Sequence, residues 1–505
     1  MTKILPYTGV DDGLPRIRPE QEEAIQRMMA EPTKSIANGS NMDTGKTLQA
    51  AELVIRLGLV RVLYIGVKDT YAQWAGRLAD QSDGAITLRR LDSTKAGKLA
   101  FADFYAGADG HFFVGSQFLT AQDFMSVPEL GADGEQLVNE KTGKPVNKRI
   151  HMRIFKKMKR PVDMIVFDEI HVIANRKSQC RRTLGTIATD WKVGMSGTWV
   201  GNKFENSWSI TQWLWPDHID RAFSRWRDEW CTVELQYFPG QQRAHESVSG
   251  EKRPGEFVQS LPCYIRLDGE LEIPAPEVVL VDLLPEQRRD YDALEADNLV
   301  WLQSAAGSQA VLVTDIPIVM RSRLRTATLG VMSMTDDDEI YFDVNTKSTK
   351  LNALRGILDR PHWRTGSVAI YTDSKRFAKV TVARMQMAGY NAVEWSGDVD
   401  SKGRDAIKAA FLAGQIQYLV ATIPSFSTGL DGFQSVCNKV VWLSESDNSM
   451  LNQQAIKRFF RTGRKDGFEH VKILARNTYD EGVFGTKVQE VLAMNASLSI
   501  RQRAA

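Results

Sequence analysis

Two stretches of this chain alternate short apolar runs with helix-like segments, and a more polar, irregular stretch lies between them. In the first, Val60–Val67, Phe112–Gly115 and Met164–Phe167 read as strands. Short apolar runs separated by helical segments predict a parallel sheet buried on both faces. Leu48–Leu57 carries helix-forming residues at amphipathic spacing, whereas Ser35–Ala37 is too short to establish a strand by itself. A second alternating stretch holds strand-like runs at Val368–Tyr371, Tyr418–Thr422 and Val440–Leu443. Between them, Arg221–Trp230, Glu286–Ser304 and Ile316–Met332 read as helices, with a polar stretch at Pro239–Pro254. The expected organisation is an α/β region over 1–216, a helical insertion and linker over 217–345, and a second α/β region over 346–505.

Composition narrows the class. With 505 residues, 43% hydrophobic and 25% charged, the chain has ordinary globular composition and room for two to four domains. No apolar run approaches the roughly 18 residues of a membrane span. Met1–Gly13 has neither the basic start nor the apolar centre of a signal peptide, so no membrane and a cytoplasmic location are expected. Cys180, Cys231, Cys263 and Cys437 form no C-x-x-C pair, which signals neither a zinc site nor a disulfide framework.

A net charge of +2 does not announce a nucleic-acid binder, but the distribution is uneven. Lys141, Lys144, Lys148, Arg149, Arg153, Lys156, Lys157, Lys159 and Arg160 crowd one run, which suits either a phosphate-tracking insertion or a plain solvated hairpin. Trp208, Trp213, Trp215, Trp226 and Trp230 lie among Arg221, Arg225 and Arg227. Such a set can stack on bases, although at these spacings core packing of a helical segment is the expectation.

Three segments carry candidate chemistry. Ser40-Asn41-Met42-Asp43-Thr44-Gly45-Lys46-Thr47 precedes the Leu48–Leu57 helix. A loop entering a helix offers unpaired N–H groups and the positive end of the dipole, which suit polyphosphate. Gly45 allows close backbone approach, Lys46 would reach the β- and γ-phosphates, and the Thr47 hydroxyl would sit on Mg²⁺. Met164–Phe167 runs into Asp168-Glu169, so a carboxylate pair closes a buried strand. Asp168 would join the Mg²⁺ shell and Glu169 would polarise an attacking water. Alone, the pair has a lesser second reading as a solvated acidic pair that caps the next helix. Arg458 and Arg461 are three apart and would share a helix face, where an anion such as a γ-phosphate would compensate them. Alone, they read as an exposed basic helix.

Taken in order, these segments resemble helicase superfamily 2 ATPases of the Swi/Snf-like branch. Asp168-Glu169-Ile170-His171 matches the family's D-E-x-H, Met195 through Asn202 matches L-T-G-T-P-x-x-N, and Gln454 through Gly463 matches Q-A-x-x-R-x-x-R-x-G. Softer matches are Arg18-Pro19-Glu20-Gln21, Val62–Trp74, Phe113–Gln117, Leu284–Gln287 with Tyr291, Ser348–Leu351 and Thr422–Gly432. Together they span about Arg18 to Val483. Departures include Ser40 at the first glycine of the phosphate-loop pattern, Asp43 at a usual glycine, Val67 at a frequent proline, and Arg464 at the final glutamine.

The resemblance implies two RecA-like parallel-sheet lobes with a helical or irregular insertion between them. It implies ATP and Mg²⁺ as cofactors, held by Gln21, Met42, Asp43, Thr44, Gly45, Lys46, Thr47, Gly429, Asp431 and Gln454. Lys46, Asp168, Glu169, Arg458 and Arg461 would be the catalytic set, with Thr47 and Asp168 on the metal. Lys68, Ser116, Thr198 and Thr422 would contact DNA, with duplex favoured over single strand. The implied activity is ATP-dependent translocation by a monomer, with hydrolysis in an interdomain cleft. Strand separation, or a nucleotide-binding recognition module of weak turnover, are the competing readings. No carboxylate-lysine or metal-ligand cluster outside the motor motifs supports a nuclease.

Overall fold

Seven strands, all parallel, form the sheet of the first unit: β1 (Ser35–Asn38), β2 (Arg61–Gly66), β3 (Leu88–Leu91), β4 (Gly110–Gly115), β5 (Val162–Asp168), β6 (Thr189–Met195) and β7 (Tyr264–Ile265). Their order across the sheet is β7-β1-β6-β5-β2-β4-β3. This computed structural model describes residues 17–41, 44–120, 124–128, 138, 145–151, 160–197, 199, 204–236, 245–269, 273–297, 299–304, 309–313, 317–335, 339–426, 432–461 and 463–482. The described residues up to Gly269 belong to one unit and those from 273 onward to a second.

Apolar sequence explains the middle of the first sheet. Val62, Leu63, Tyr64 and Ile65 of β2 and Met164, Ile165, Val166 and Phe167 of β5 are wholly buried, as strands flanked by helices on both faces must be. Polar Arg61 is buried as well. Its guanidinium donates to the carbonyls of Pro161 (3.1 Å), Phe104 (2.7 Å) and Ala108, so it ties the entries of β2, β4 and β5 together. On β2 and β4, Tyr64 Oη and His111 Nδ1 are 3.1 Å apart, and burial pushes the His111 imidazole down to about 4.

The second unit contains six parallel strands: β8 (Glu277–Val281), β9 (Ser367–Thr372), β10 (Ala392–Trp395), β11 (Tyr418–Thr422), β12 (Cys437–Trp442) and β13 (Glu469–Ala475). Their order is β8-β13-β12-β9-β11-β10. Both units are α/β folds built on a parallel sheet. At the carboxyl ends of β12 and β13, Lys350 is fully buried. Its ammonium donates to the Leu443 carbonyl (2.7 Å) and pairs with Asp480 at 2.6 Å.

The stretch 217–345 differs from the expected helical insertion. It is divided between the units, because β7 joins the first sheet and β8 joins the second. Cys231–Gln236 and His245–Glu251 pair antiparallel, and the second of these strands lies inside the polar Pro239–Pro254 stretch. The helix expected over Glu286–Ser304 runs only from Pro285 to Asp297; Leu299–Ser304 turns into a strand paired with Gln309–Val313. Leu-Val-Trp-Leu is β-favouring, and cross-strand pairing outweighs helical continuation there. Trp213, Trp215 and Trp226 are buried in the first unit's core, and Trp226 stacks on Phe204 at 5.7 Å, so these rings serve packing.

Asn147–His151, inside the basic run, pairs antiparallel with Phe124–Pro128. Lys141, Lys144, Arg153, Lys156, Lys157 and Lys159 lie outside the described residues. Among the described residues, no helix is long and apolar enough to cross a membrane.

Candidate functional site

Parallel strands deliver their carboxyl ends to one edge, and that edge of the first sheet collects most of the sequence-derived candidates. β1 leads into the Gly39–Gly45 loop, which opens helix α2 (Lys46–Arg56). Gly45 sits at φ 81°, ψ 32°, a left-handed conformation that glycine adopts without cost, and a Cβ there would lie 2.6 Å from Gln21 Nε2. Both constraints demand glycine. Gln21, in the first turn of helix α1 (Pro19–Met29), donates through Nε2 to the Thr44 carbonyl at 2.8 Å, and its Oε1 accepts from the Arg18 amide at 2.9 Å.

The loop is tied from below as well. Asn38 Nδ2 donates to Gln49 Oε1 (2.8 Å), and Gln49 Nε2 donates to the Thr44 carbonyl (3.0 Å). Lys46 Nζ donates to the carbonyls of Ser40 and Asn41, each at 2.9 Å. Met42 and Asp43 lie outside the described residues.

At the end of β5, Trp74 Nε1 donates to Asp168 Oδ2 at 3.2 Å. Burial and the neighbouring Glu169 charge push the Asp168 carboxyl up to about 6, against the pull of the Trp74 indole and the Lys46 ammonium. Lys46 and Asp168 therefore share one electrostatic environment. Thr47, in the first turn of α2, and Asp168 both offer hard oxygen at this edge, and α2 packs on β5. A divalent cation suits that donor type and would favour the ionised Asp168.

Glu169 follows in a left-handed conformation (φ 57°, ψ 50°) that a side chain bearing a Cβ rarely adopts. Its Oε2 lies 3.2 Å from His171 Nδ1 and 3.4 Å from Ser196 Oγ, while His171 Nδ1 and Ser196 Oγ are 3.1 Å apart. Ser196 is the residue after β6. A closed triangle thus links the carboxylate to the next strand end. Thr198 lies outside the described residues.

Lys68 is exposed in the turn after β2, and Ser116 starts the helix after β4. β2 and β4 are neighbours, so the two positions share one side of the edge.

In the second unit, Thr422 ends β11 buried, its hydroxyl 2.6 Å from Ser425 Oγ. Gln454 is buried on the Ser449–Ile456 helix. Arg458 and Arg461 do not share a helix face as expected, because that helix stops at Ile456 and both follow in the next turn, half-buried. Phe459 draws the chain inward, stacking on Phe426 at 5.4 Å, and Gly463 takes φ 75°. Gly429 and Asp431 lie outside the described residues.

Sequence reasoning missed Trp74 as a partner of Asp168, the Asn38–Gln49 bridge and the His171–Ser196 contact. Their partners lie 94, 11 and 25 positions apart in the chain, and no spacing rule signals such pairs.

No family model matches the chain. It is similar to the ISWI chromatin-remodeling complex ATPase CHR11 of Arabidopsis thaliana, 24% identical over 349 residues, covering 66% of this chain and 31% of that protein. It is also similar to the human SWI/SNF-related matrix-associated actin-dependent regulator of chromatin subfamily A member 1, 22% identical over 360 residues, covering 69% and 32%. The chain thus spans about a third of the length of these curated relatives. Among solved structures, a Sulfolobus solfataricus SWI2/SNF2 ATPase core in complex with dsDNA aligns with TM-score 0.40 at 16% identity, over 96% of this chain and 94% of that one. The sequence likenesses support a superfamily 2 ATPase of Swi/Snf-like type.

Proposed function

We propose that this Swi/Snf-like chain of superfamily 2 is an ATP-driven motor that moves along DNA, with duplex as its track. The observation that carries this reading is the convergence at one sheet edge of Lys46, at the head of α2 packed on β5, with Asp168 and Glu169 at the end of β5. An ammonium at the head of a helix, at the same strand edge as a half-buried carboxylate pair, suits a polyphosphate and its cation.

In this reading the loop's amides and Lys46 hold the β- and γ-phosphates, so Lys46 exchanges its two loop carbonyls for phosphate oxygens. Thr47 and Asp168 would hold Mg²⁺, which supplies charge neutralisation on the phosphates when bound. Glu169 orients the attacking water and accepts its proton, and His171 and Ser196 fix the carboxylate in place. Arg458 and Arg461, from the second unit, stabilise charge developing on the transferred phosphoryl group. Exposed Lys68 contacts the DNA backbone and Thr198 joins it, whereas Ser116 and Thr422, whose side chains are buried, position the DNA-facing loops that they begin.

A triplex-displacement assay tests translocation. Duplex carrying a third strand should lose that strand only with ATP and Mg²⁺, while a forked duplex of the same length stays intact. Unwinding of the fork would favour the strand-separating reading. ATP binding with neither displacement nor turnover would favour the recognition-module reading.

A further inference from the structure

The loop from Gly39 to Asn41 continues the β1 ladder onto β7 and the residues after it. Ala37 N donates to the Cys263 carbonyl (3.0 Å), Gly39 N to Ile265 O (2.9 Å) and Asn41 N to Leu267 O (2.9 Å). Between the last two, the Leu267 amide donates to the hydroxyl of Ser40 at 2.9 Å. That hydroxyl sits at the position where the phosphate-loop pattern has its first glycine. It is fully buried, and it takes a backbone donor that glycine would leave to find another acceptor.

Side chains complete the strap. Arg266, whose side chain is 5% exposed, donates to the Gly39 carbonyl (2.9 Å) and is held by Asp268 at 2.7 Å. Asn41 Nδ2 reaches the same Asp268 oxygen at 3.3 Å. Beneath the loop, the Tyr264 ring occupies the space that a Cβ on Gly39 would need, and Trp199 meets that ring edge-on at 5.8 Å. The two carbonyls that receive Lys46 Nζ, those of Ser40 and Asn41, therefore belong to backbone held by residues 265–268.

We propose that Ser40, Arg266 and Asp268 are positioning residues for the phosphate loop: the 264–268 strap fixes the loop's first half so that Lys46 and the remaining amides meet the phosphates. This rests on the ATP-site reading above. Because these residues act through the loop, their loss weakens nucleotide binding while leaving Glu169 and its water untouched.

The test is Mg-ATP affinity and turnover in the full chain for Ser40→Ala, Arg266→Ala and Arg266→Lys, with amide hydrogen exchange of residues 264–268. The alanine variants should bind Mg-ATP about fivefold to tenfold more weakly. Their kcat at saturating nucleotide should stay within about twofold of wild type. Leu267 should exchange faster in nucleotide-free Ser40→Ala than in wild type, and Mg-ATP should slow exchange across 264–268 in wild type. Arg266→Lys, which keeps the charge but not the fork, should fall between Arg266→Ala and wild type. If wild type binds Mg-ATP and the folded variants bind it equally well, the strap proposal is overturned. If wild type binds no Mg-ATP while Leu267 remains protected, the ATP-site reading itself fails and takes the strap's role with it.

Discussion

The side-chain amide of Gln21 donates 2.8 Å to the carbonyl oxygen of Thr44, so the first turn of α1 holds the far half of the loop that β7 holds at its near half. Gln21→Ala should leave that carbonyl to Gln49 alone and loosen the turn at Gly45. Affinity for Mg-ATP should fall about fivefold to twentyfold, with the melting temperature of the nucleotide-free chain little changed. Equilibrium titration with a fluorescent ATP analogue measures this, and unaltered affinity would remove Gln21 from the nucleotide site.

Glu169 combines a disfavoured backbone with a carboxylate held by His171 and Ser196. Strain of this kind, on the order of 1 kcal/mol, persists where function needs it. Glu169→Gln should bind Mg-ATP normally and turn it over at least about a hundredfold more slowly. Glu169→Gly should be equally inactive but no less stable, since glycine tolerates φ 57°. Single-turnover kinetics beside thermal melts check both. An active Glu169→Gln would move the general base elsewhere.

Much of this was legible before any coordinates, because long-range function here is written in local patterns. Buried parallel strands such as β2, β5 and β11 announce themselves by apolar runs, and Gly45-Lys46-Thr47 and Asp168-Glu169 sit where such strands end. What was not legible is non-local. β7 has two residues and no period to detect, yet it carries the strap under Ser40. β3 reads Leu-Arg-Arg-Leu, which is polar in the middle because it lies at the sheet edge. In the turn holding Arg458 and Arg461, Phe459 packs into an aromatic cluster of the second unit's core, a contact that local spacing does not announce.

Lys350 is a fully buried ammonium paired with Asp480 at 2.6 Å, and its partner also accepts from the Ala475 amide at 3.1 Å. Removing either charge leaves the other buried and uncompensated. Asp480→Ala or Lys350→Met should each destabilise the second unit by about 3–5 kcal/mol. Lys350→Met with Asp480→Ala should cost less than the sum of the singles. Denaturant melts of all three supply the cycle, and additive losses would contradict direct pairing.

His111 supplies a pH dependence whose sign is fixed. Its imidazole is held near 4 by burial, below the ordinary value near 6.5, so the unfolded chain binds a proton that the folded chain refuses. The stability from keeping His111 neutral is fully present above about pH 6.5 and is lost as pH falls toward 4, by up to about 3 kcal/mol. His111→Gln should flatten the difference between melts at pH 7 and pH 5. An unchanged slope would show that His111 is protonated without cost.

The central claim is that this edge of the first sheet hydrolyses ATP under the control of DNA. The most direct measurement is phosphate release from Mg-ATP by wild type and Lys46→Ala, with and without duplex DNA. Wild type should turn over slowly alone and at least about tenfold faster with duplex, while Lys46→Ala, equally folded, stays at background in both. Release by Lys46→Ala at the wild-type rate, or a wild type indifferent to DNA, would contradict the account.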